Sequence, residues 1–297
     1  MRALVIGLSG QVGGALAQAL QARGHVVTGT YVTLPVAGAV RLDLADHVAV
    51  EELVGTVRPD WIFCPAGVTH VDWCEDHPDE AARVNVAGPL ALARAAALRG
   101  AGCVYYSTEY VFDGGGGPYG ENAQPRPLSV YGRTKLEGEQ AILAESRRTI
   151  VIRTAMVYGP ERQGKNSVYQ LLRRCRAAEG VKVPLDQVSS PTYNEDLAMA
   201  SVELAERDAL GLFHVAGASV VDRYTFARLV CQVFDLDPSC LQPVSSASLN
   251  QRAPRPLRGG LRIDKARGLL ATELRSAEAG LRTMRAALGL TPLGKLR

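Results

Sequence analysis

Tyr131-Gly-Arg-Thr-Lys135 sets a phenol and an ammonium four residues apart, so a helix through this segment presents both on one face. Such a pair suits carbonyl chemistry, in which a proton must reach oxygen while hydride reaches carbon. Tyrosine's ordinary pKa of about 10 is too high for easy work as a base near neutrality, and a neighbouring ammonium favours the phenolate and lowers it. The spacing alone also fits a surface helix with a solvated lysine, so the surrounding sequence must decide. Ser107-Thr108-Glu109-Tyr110-Val111-Phe112-Asp113-Gly114 follows a strongly apolar run and opens where parallel strands place ligands, at their carboxyl ends. Thr108 there is either a hydroxyl donor to a substrate oxygen or a cap on its own loop. Asn85, in Ala-Arg-Val-Asn-Val-Ala-Gly, either holds a water in a proton relay from Lys135 or is a polar helix residue satisfied by solvent.

A second constellation sits at the N-terminus. Gly7-Leu8-Ser9-Gly10-Gln11-Val12-Gly13 lies between an apolar run and an Ala/Leu-rich segment. Glycines in that context permit a tight turn and close approach of backbone to a pyrophosphate, whose charge then meets the free amides of a helix start. A plain strand–helix turn eased by Gly13 and Gly14 is the alternative; the strand before and the helix after favour the dinucleotide. The GxxGxxG spacing differs from GxGxxG and points toward short-chain reductases. An acid at the end of the second strand would bind the adenine ribose, but the sequence there is Gly29-Thr30-Tyr31. With neither acid nor arginine present, NADP(H) is preferred and NAD(H) allowed. Asp43 either accepts from the adenine amino group or caps a helix near Asp46.

These groups need a scaffold, and the hydrophobic pattern supplies one. β-type runs at 3–7, 26–31, 61–67, 103–108 and 150–159 alternate with helical patterns at 11–23, 46–57, 79–100 and 129–147. That alternation predicts an α/β fold, a Rossmann-type doubly wound parallel sheet with a smaller C-terminal α/β substrate lobe. Residues 1–159 form the expected dinucleotide-binding domain, with parts of 188–218 returning to it, and 160–297 form mainly the substrate lobe. In the latter, helices are expected at 166–178 and 223–234 and a strand near 211–216. At 297 residues, 47% hydrophobic and 21% charged, the chain has the composition of a core-forming globular protein. A net charge of +3 is too small for a nucleic-acid binder. No apolar stretch is long enough for a membrane span, so a soluble, cytoplasmic protein is expected. The six cysteines show no CxxC pair and read as reduced core residues. His70, Cys74 and His77 lack a second ligand pair, and no metal is expected.

The ordered motifs Gly-x-Ser-Gly-Gln-Val-Gly-Gly, the segment from Cys64 to Pro78, Val-Asn-Val-Ala-Gly, Ser-Thr-Glu-Tyr-Val-Phe-Asp-Gly, Tyr131 to Glu139, Arg153 to Gly159, Ser190 to Ala198 and Arg252 to Leu261 span nearly the whole chain. In this order they resemble the dTDP-4-dehydrorhamnose reductase family of extended short-chain dehydrogenases/reductases. The resemblance implies a catalytic triad of Thr108, Tyr131 and Lys135 and reduction of a 4-keto-6-deoxy nucleotide sugar. It also implies a cofactor site from Gly7, Gly10, Gln11, Val12, Gly13, Thr30, Asp43, Leu44, Ala66, Gly67, Asn85, Tyr131 and Lys135, and a homodimer is compatible with it.

Against that pattern, Met156 stands where the family usually has a tryptophan, and a flexible thioether does not reproduce the packing of a flat ring on a sugar. Glu109 replaces a shorter acid, and Asp186 to Thr192 lacks the usual glycine. These departures, with Leu229 to Val244, are also similar to the regulatory beta subunit of methionine adenosyltransferase, a homologue that binds NADP and a partner; an intact triad favours the enzyme. Thr69, His70, Asp72, Thr108, Glu109, Met156 and Arg255 are the expected substrate contacts. Arginines at 252, 255, 258, 262 and 267 suit a diphosphate or form a solvated basic face, with Arg255 the strongest candidate.

Overall fold

Side chains alternate between two packed faces along each short apolar run. Ala3 and Val5 pack with Leu16, Leu20, Phe63 and Val104, while Leu4 and Ile6 pack with Val50, Val54, Ile62 and Leu92. The computed structural model describes residues 1–290. The first half runs β1 (Arg2–Val5), α1 (Gln11–Ala22), β2 (Val26–Tyr31), β3 (Val40–Arg41), α2 (His47–Val57), β4 (Trp61–Cys64), α3 (Val71–Asp76), α4 (Pro78–Ala82), α5 (Gly88–Ala97), β5 (Gly102–Thr108), α6 (Val130–Glu145) and β6 (Thr149–Thr154). The second continues with β7 (Val157–Tyr158), α7 (Ser167–Arg176), β8 (Val181–Pro184), β9 (Val188–Ser189), β10 (Thr192–Tyr193), α8 (Asn194–Glu206), β11 (Gly211–His214), β12 (Val221–Asp222), α9 (Arg223–Val233), β13 (Leu241–Val244), α10 (Asp264–Leu269) and α11 (Ala277–Ala287).

Seven strands form one parallel sheet in the order β3-β2-β1-β4-β5-β6-β11. The order reverses between β1 and β4, which opens a crevice at their carboxyl ends. This is the Rossmann-type parallel architecture expected from the pattern. Helices α1 and α8 pack together on one side of the sheet and α2, α5 and α6 on the other. A separate core of Tyr158, Leu172, Tyr193, Phe226, Val230 and Met284 joins α7, α9 and α11 around the short paired strands β8 and β13.

Three local expectations are corrected. The helix expected over 79–100 is interrupted by a π-helical turn, Arg83–Ala87. That widened turn holds the fully buried Asn85, whose amide donates to Val68 O and Thr134 Oγ1 and whose Oδ1 accepts from Val68 N. The strand expected over 150–159 breaks at Met156, which adopts a φ of 41°, and β7 leaves the main sheet to pair with β10. The cysteines are not all reduced: Cys175 and Cys240 form a disulfide between α7 and the turn before β13, while Cys64, Cys74, Cys103 and Cys231 are free and buried. Their separation of 65 residues kept this pairing out of reach of local pattern. Among the described residues, no helix is long and apolar enough to cross a membrane.

Between β6 and α6 lies a buried ion pair. Arg153 donates in bidentate fashion to Glu139, at 2.9 and 2.6 Å, and its guanidinium sits over the Phe112 ring. Removing one partner of such a pair strands the other charge in a low-dielectric core. Glu139→Leu is expected to cost about 3–5 kcal/mol in urea denaturation, and the Glu139→Leu/Arg153→Met double variant to recover most of it. A single variant as stable as the parent would contradict this role for the pair.

Candidate active site

A cavity of about 920 Å³ opens at the carboxyl ends of β1, β4 and β5, bounded by the second lobe. Its floor is the glycine loop. Gly7 has a φ of 87°, and a Cβ on Gly13 would lie 2.8 Å from the Gly7 carbonyl carbon and closer still to its oxygen. Only hydrogen fits there, so the first turn of α1 presses directly on the loop and its amides face the cavity. Thr30 completes the turn from β2: its hydroxyl accepts from Gly7 N at 3.1 Å, and its carbonyl accepts from Leu8 N at 2.7 Å. Gly7, Gly10, Gln11, Val12, Gly13, Thr30, Asp43, Leu44, Ala66 and Gly67 all line the cavity. Asn85 is not among the lining residues; its side chain bonds Val68 and Thr134 and so supports the loop after β4. Asp43 also bonds its own loop, accepting from Ala45 N at 2.9 Å.

The reactive pair is placed by the start of α6. Ser129 caps this helix by accepting from Gly132 N, and Glu75 accepts from Val130 N at 2.7 Å. A side chain at Gly132 would overlap the Tyr110 carbonyl oxygen, so glycine allows α6 to reach the segment after β5. Thr108, Tyr131 and Lys135 are consequently buried together at the cavity wall, 6%, 8% and 4% exposed. Tyr110 packs edge-on against the Tyr131 ring, with centroids 5.6 Å apart. The Lys135 ammonium lies 4.0 Å from the centroid of the Tyr105 ring.

The electrostatics differ from the sequence expectation in one respect. Lys135 was expected to lower the Tyr131 pKa, but burial pushes the phenol well above its ordinary value, opposed in part by the Thr108 hydroxyl. Burial instead pulls Lys135 down to about 8, against the opposing pulls of Cys64 and Glu139. A tyrosine at its ordinary value is already neutral near pH 7, and burial keeps Tyr131 in that form, which donates a proton.

The expected substrate residues separate into two groups. Thr69, Thr108, Glu109 and Met156 line the cavity. Glu109 is already engaged: its carboxylate accepts from the Ser189 hydroxyl and from Gly260 N at 2.7 Å, and burial raises its pKa. His70, Asp72 and Arg255 lie off the cavity lining. His70 caps α3 by accepting from Trp73 N. Arg255 donates to both oxygens of Asp72 at 2.7 and 2.9 Å, which holds the Asp72 pKa down to about 2. This pair, with Arg252–Asp76 at 2.7 Å, straps the 252–255 loop to α3. Gln163, Lys165 and Arg223, which the sequence reading did not single out, also line the cavity. Gln163 donates from Nε2 to Ser9 O at 3.2 Å, linking the loop after β7 to the glycine loop.

The cavity fits a dinucleotide on its own evidence. The glycine loop lines it, and Gln11 Nε2, Ser107 Oγ and Thr154 Oγ1 are buried at its wall without hydrogen-bond partners. A parallel sheet, a phosphate cradle and a buried Thr-Tyr-Lys set define the extended short-chain dehydrogenase/reductase class. The chain belongs to the family described as RmlD substrate binding domain, which it matches over residues 1–289. It is 36% identical over 289 residues to a dTDP-4-dehydrorhamnose reductase of Mycolicibacterium smegmatis, covering 96% of this chain and 82% of that protein. A solved dTDP-4-dehydrorhamnose reductase from Clostridium acetobutylicum superposes with a TM-score of 0.89 at 29% identity, covering 97% of this chain and 100% of the other. One from Bacillus anthracis, in complex with NADP, gives 0.88 at 29% identity, with 96% and 99% covered.

Gly13→Ala is expected to weaken dinucleotide binding by about tenfold or more, because the methyl group must displace the Gly7 carbonyl that shapes the cradle. Titration of the purified variant with NADPH, followed by nicotinamide fluorescence, measures it. Unchanged affinity would remove the glycine loop from the binding site.

Proposed function

We propose that this protein is an NAD(P)H-dependent reductase of the keto carbon of a 4-keto-6-deoxy nucleotide sugar, with NADPH the preferred cofactor. The observation that carries the reading is the burial of Thr108, Tyr131 and Lys135 at one wall of a cavity whose floor is the glycine cradle. The cofactor, held by Gly7 to Gly13 with Asp43, Leu44, Ala66 and Gly67 around it, supplies hydride. Thr108 orients the ketone oxygen through its hydroxyl, and Tyr131, a neutral phenol near pH 7, donates the proton to that oxygen. Lys135 is cationic below about pH 8 and stabilises the phenolate that donation leaves behind. Residues 1–159, joined by segments from 188–218, serve the cofactor, and 160–297 mainly the sugar nucleotide. We place the activity in the cytoplasm, on a chain that handles neither nucleic acid nor membrane.

The reading is tested by mixing purified protein with NADPH and a dTDP-4-keto-6-deoxyhexose and following the absorbance of the reduced nicotinamide. Sugar-dependent consumption supports it; tight NADPH binding without consumption overturns it. Tyr131→Phe is expected to keep NADPH affinity while turnover falls by about 10²- to 10⁴-fold. Near-normal turnover in that variant would remove the proton-donor role.

The lowered Lys135 pKa sets a pH limit. Its ammonium is present below about 8 and lost above it, so the reduction rate should fall as pH rises through that value. A rate that stays level to pH 10 would exclude dependence on the Lys135 charge.

A further inference from the structure

Among the described residues, three cations line the cavity, Lys135, Lys165 and Arg223, of which Lys135 belongs to the reactive set. Lys165 lies in the loop between β7 and α7, two residues beyond the Gln163 side chain that holds Ser9 O. Arg223 is the first residue of α9, fixed by its backbone N–H to the Gln187 carbonyl at 3.0 Å. Among the described residues, neither the Lys165 ammonium nor the Arg223 guanidinium pairs with a carboxylate. None of the five arginines that the sequence offers for a diphosphate is among the residues lining the cavity, and Arg252, Arg255 and Arg262 are each paired with an aspartate. Two acids line the same cavity, Asp43, which accepts from Ala45 N in its own loop, and Glu109. Glu109, the carboxyl on which the Arg223 charge bears, is buried and bonded to Ser189 and Gly260.

We propose that Arg223 and Lys165 form the anion clamp that holds the diphosphate of the sugar nucleotide, leaving the backbone amides of the glycine loop to the diphosphate of the cofactor. The assignment rests on the nucleotide-sugar reading above for its substrate. It moves substrate recognition from the 252–258 loop to the walls contributed by β7–α7 and α9. A guanidinium fork and an ammonium match two adjacent phosphates, and both side chains line the cavity.

The test uses NADP-loaded protein and calorimetric titration with dTDP and, in parallel, thymidine. Arg223→Gln and Lys165→Gln are each expected to weaken dTDP about ten- to hundredfold, with thymidine and NADP affinities unchanged and Arg223→Lys recovering part of the loss. If either variant binds dTDP within about twofold of the parent, or loses dTDP and thymidine alike, the clamp is overturned. Lys165, on an exposed loop, keeps the test open should substitution at Arg223 disturb the fold. Turnover separates the two claims. A protein that binds dTDP through these cations yet reduces no nucleotide sugar loses the reductase reading and keeps the clamp. One that reduces the sugar with unchanged KM in both variants loses the clamp and keeps the reductase.

Discussion

A lysine held almost entirely out of water is the constraint around which this site is organised. The depression of Lys135 from 10.5 to about 8 corresponds to about 3 kcal/mol of destabilisation at neutral pH, where the group is charged both folded and unfolded. That cost is full below about pH 8 and is relieved only as pH climbs toward the unfolded value. The surroundings limit it. The Tyr105 ring lies beneath the ammonium, Tyr105 is pinned by its hydroxyl to the Asn85 carbonyl at 2.9 Å, and Glu139 pulls on the charge from one turn along α6. Glu139 is itself fixed by Arg153. A single helix thus carries the phenol, the ammonium and the carboxylate that faces β6, so the register of α6 on the sheet sets all three.

Leu261, Ile263, Ala266 and Leu274 of the C-terminal half are buried in the main core, and polar contacts tie the second lobe to the same frame. Glu109 gathers Ser189 and Gly260 at the end of β5, Asp72 and Asp76 hold Arg255 and Arg252, and Gln163 reaches Ser9. Each contact ends a segment that borders the cavity. The cluster around α7, α9 and α11 is distinct from the main core, and these bonds add to the apolar contacts of residues 261–274 in setting how the cavity walls face one another. Glu109 is the most informative of them. A buried carboxyl with two donors aimed at it serves as a link between lobes while it borders the cavity.

What the sequence made legible was local. Strand and helix periods located the sheet, and a four-residue spacing brought Tyr131 and Lys135 together because a helix does so without help from distant residues. Long-range pairing was not legible. Asp72 and Arg255 are 183 positions apart, and each read as a substrate contact because nothing local shows that an exposed-looking charge already has its partner. The same holds for Cys175 and Cys240. The reversed electrostatics of Tyr131 have a similar origin: spacing reveals a neighbouring ammonium, whereas burial, which dominates here, emerges only when β5, α6 and the 109–112 segment close around the ring.

Met156 joins the fold to the question of substrate. Its left-handed backbone turns the chain out of β6, and its carbonyl accepts from Thr192 N at 3.2 Å, so the residue ends one sheet and starts the small pairing of β7 with β10. A non-glycine side chain at positive φ is held there by surrounding structure, and here it is held at the cavity wall. A thioether at that point offers a sugar ring a deformable apolar contact in place of a rigid aromatic face. In the proposed reading, orientation of the ring falls to polar groups: Thr108 and Tyr131 at the ketone on one side, and the cations of α9 and the β7–α7 loop on the other. Selectivity built this way depends on the distance between the reacting oxygen and the charged tail, more than on the identity of the apolar face between them.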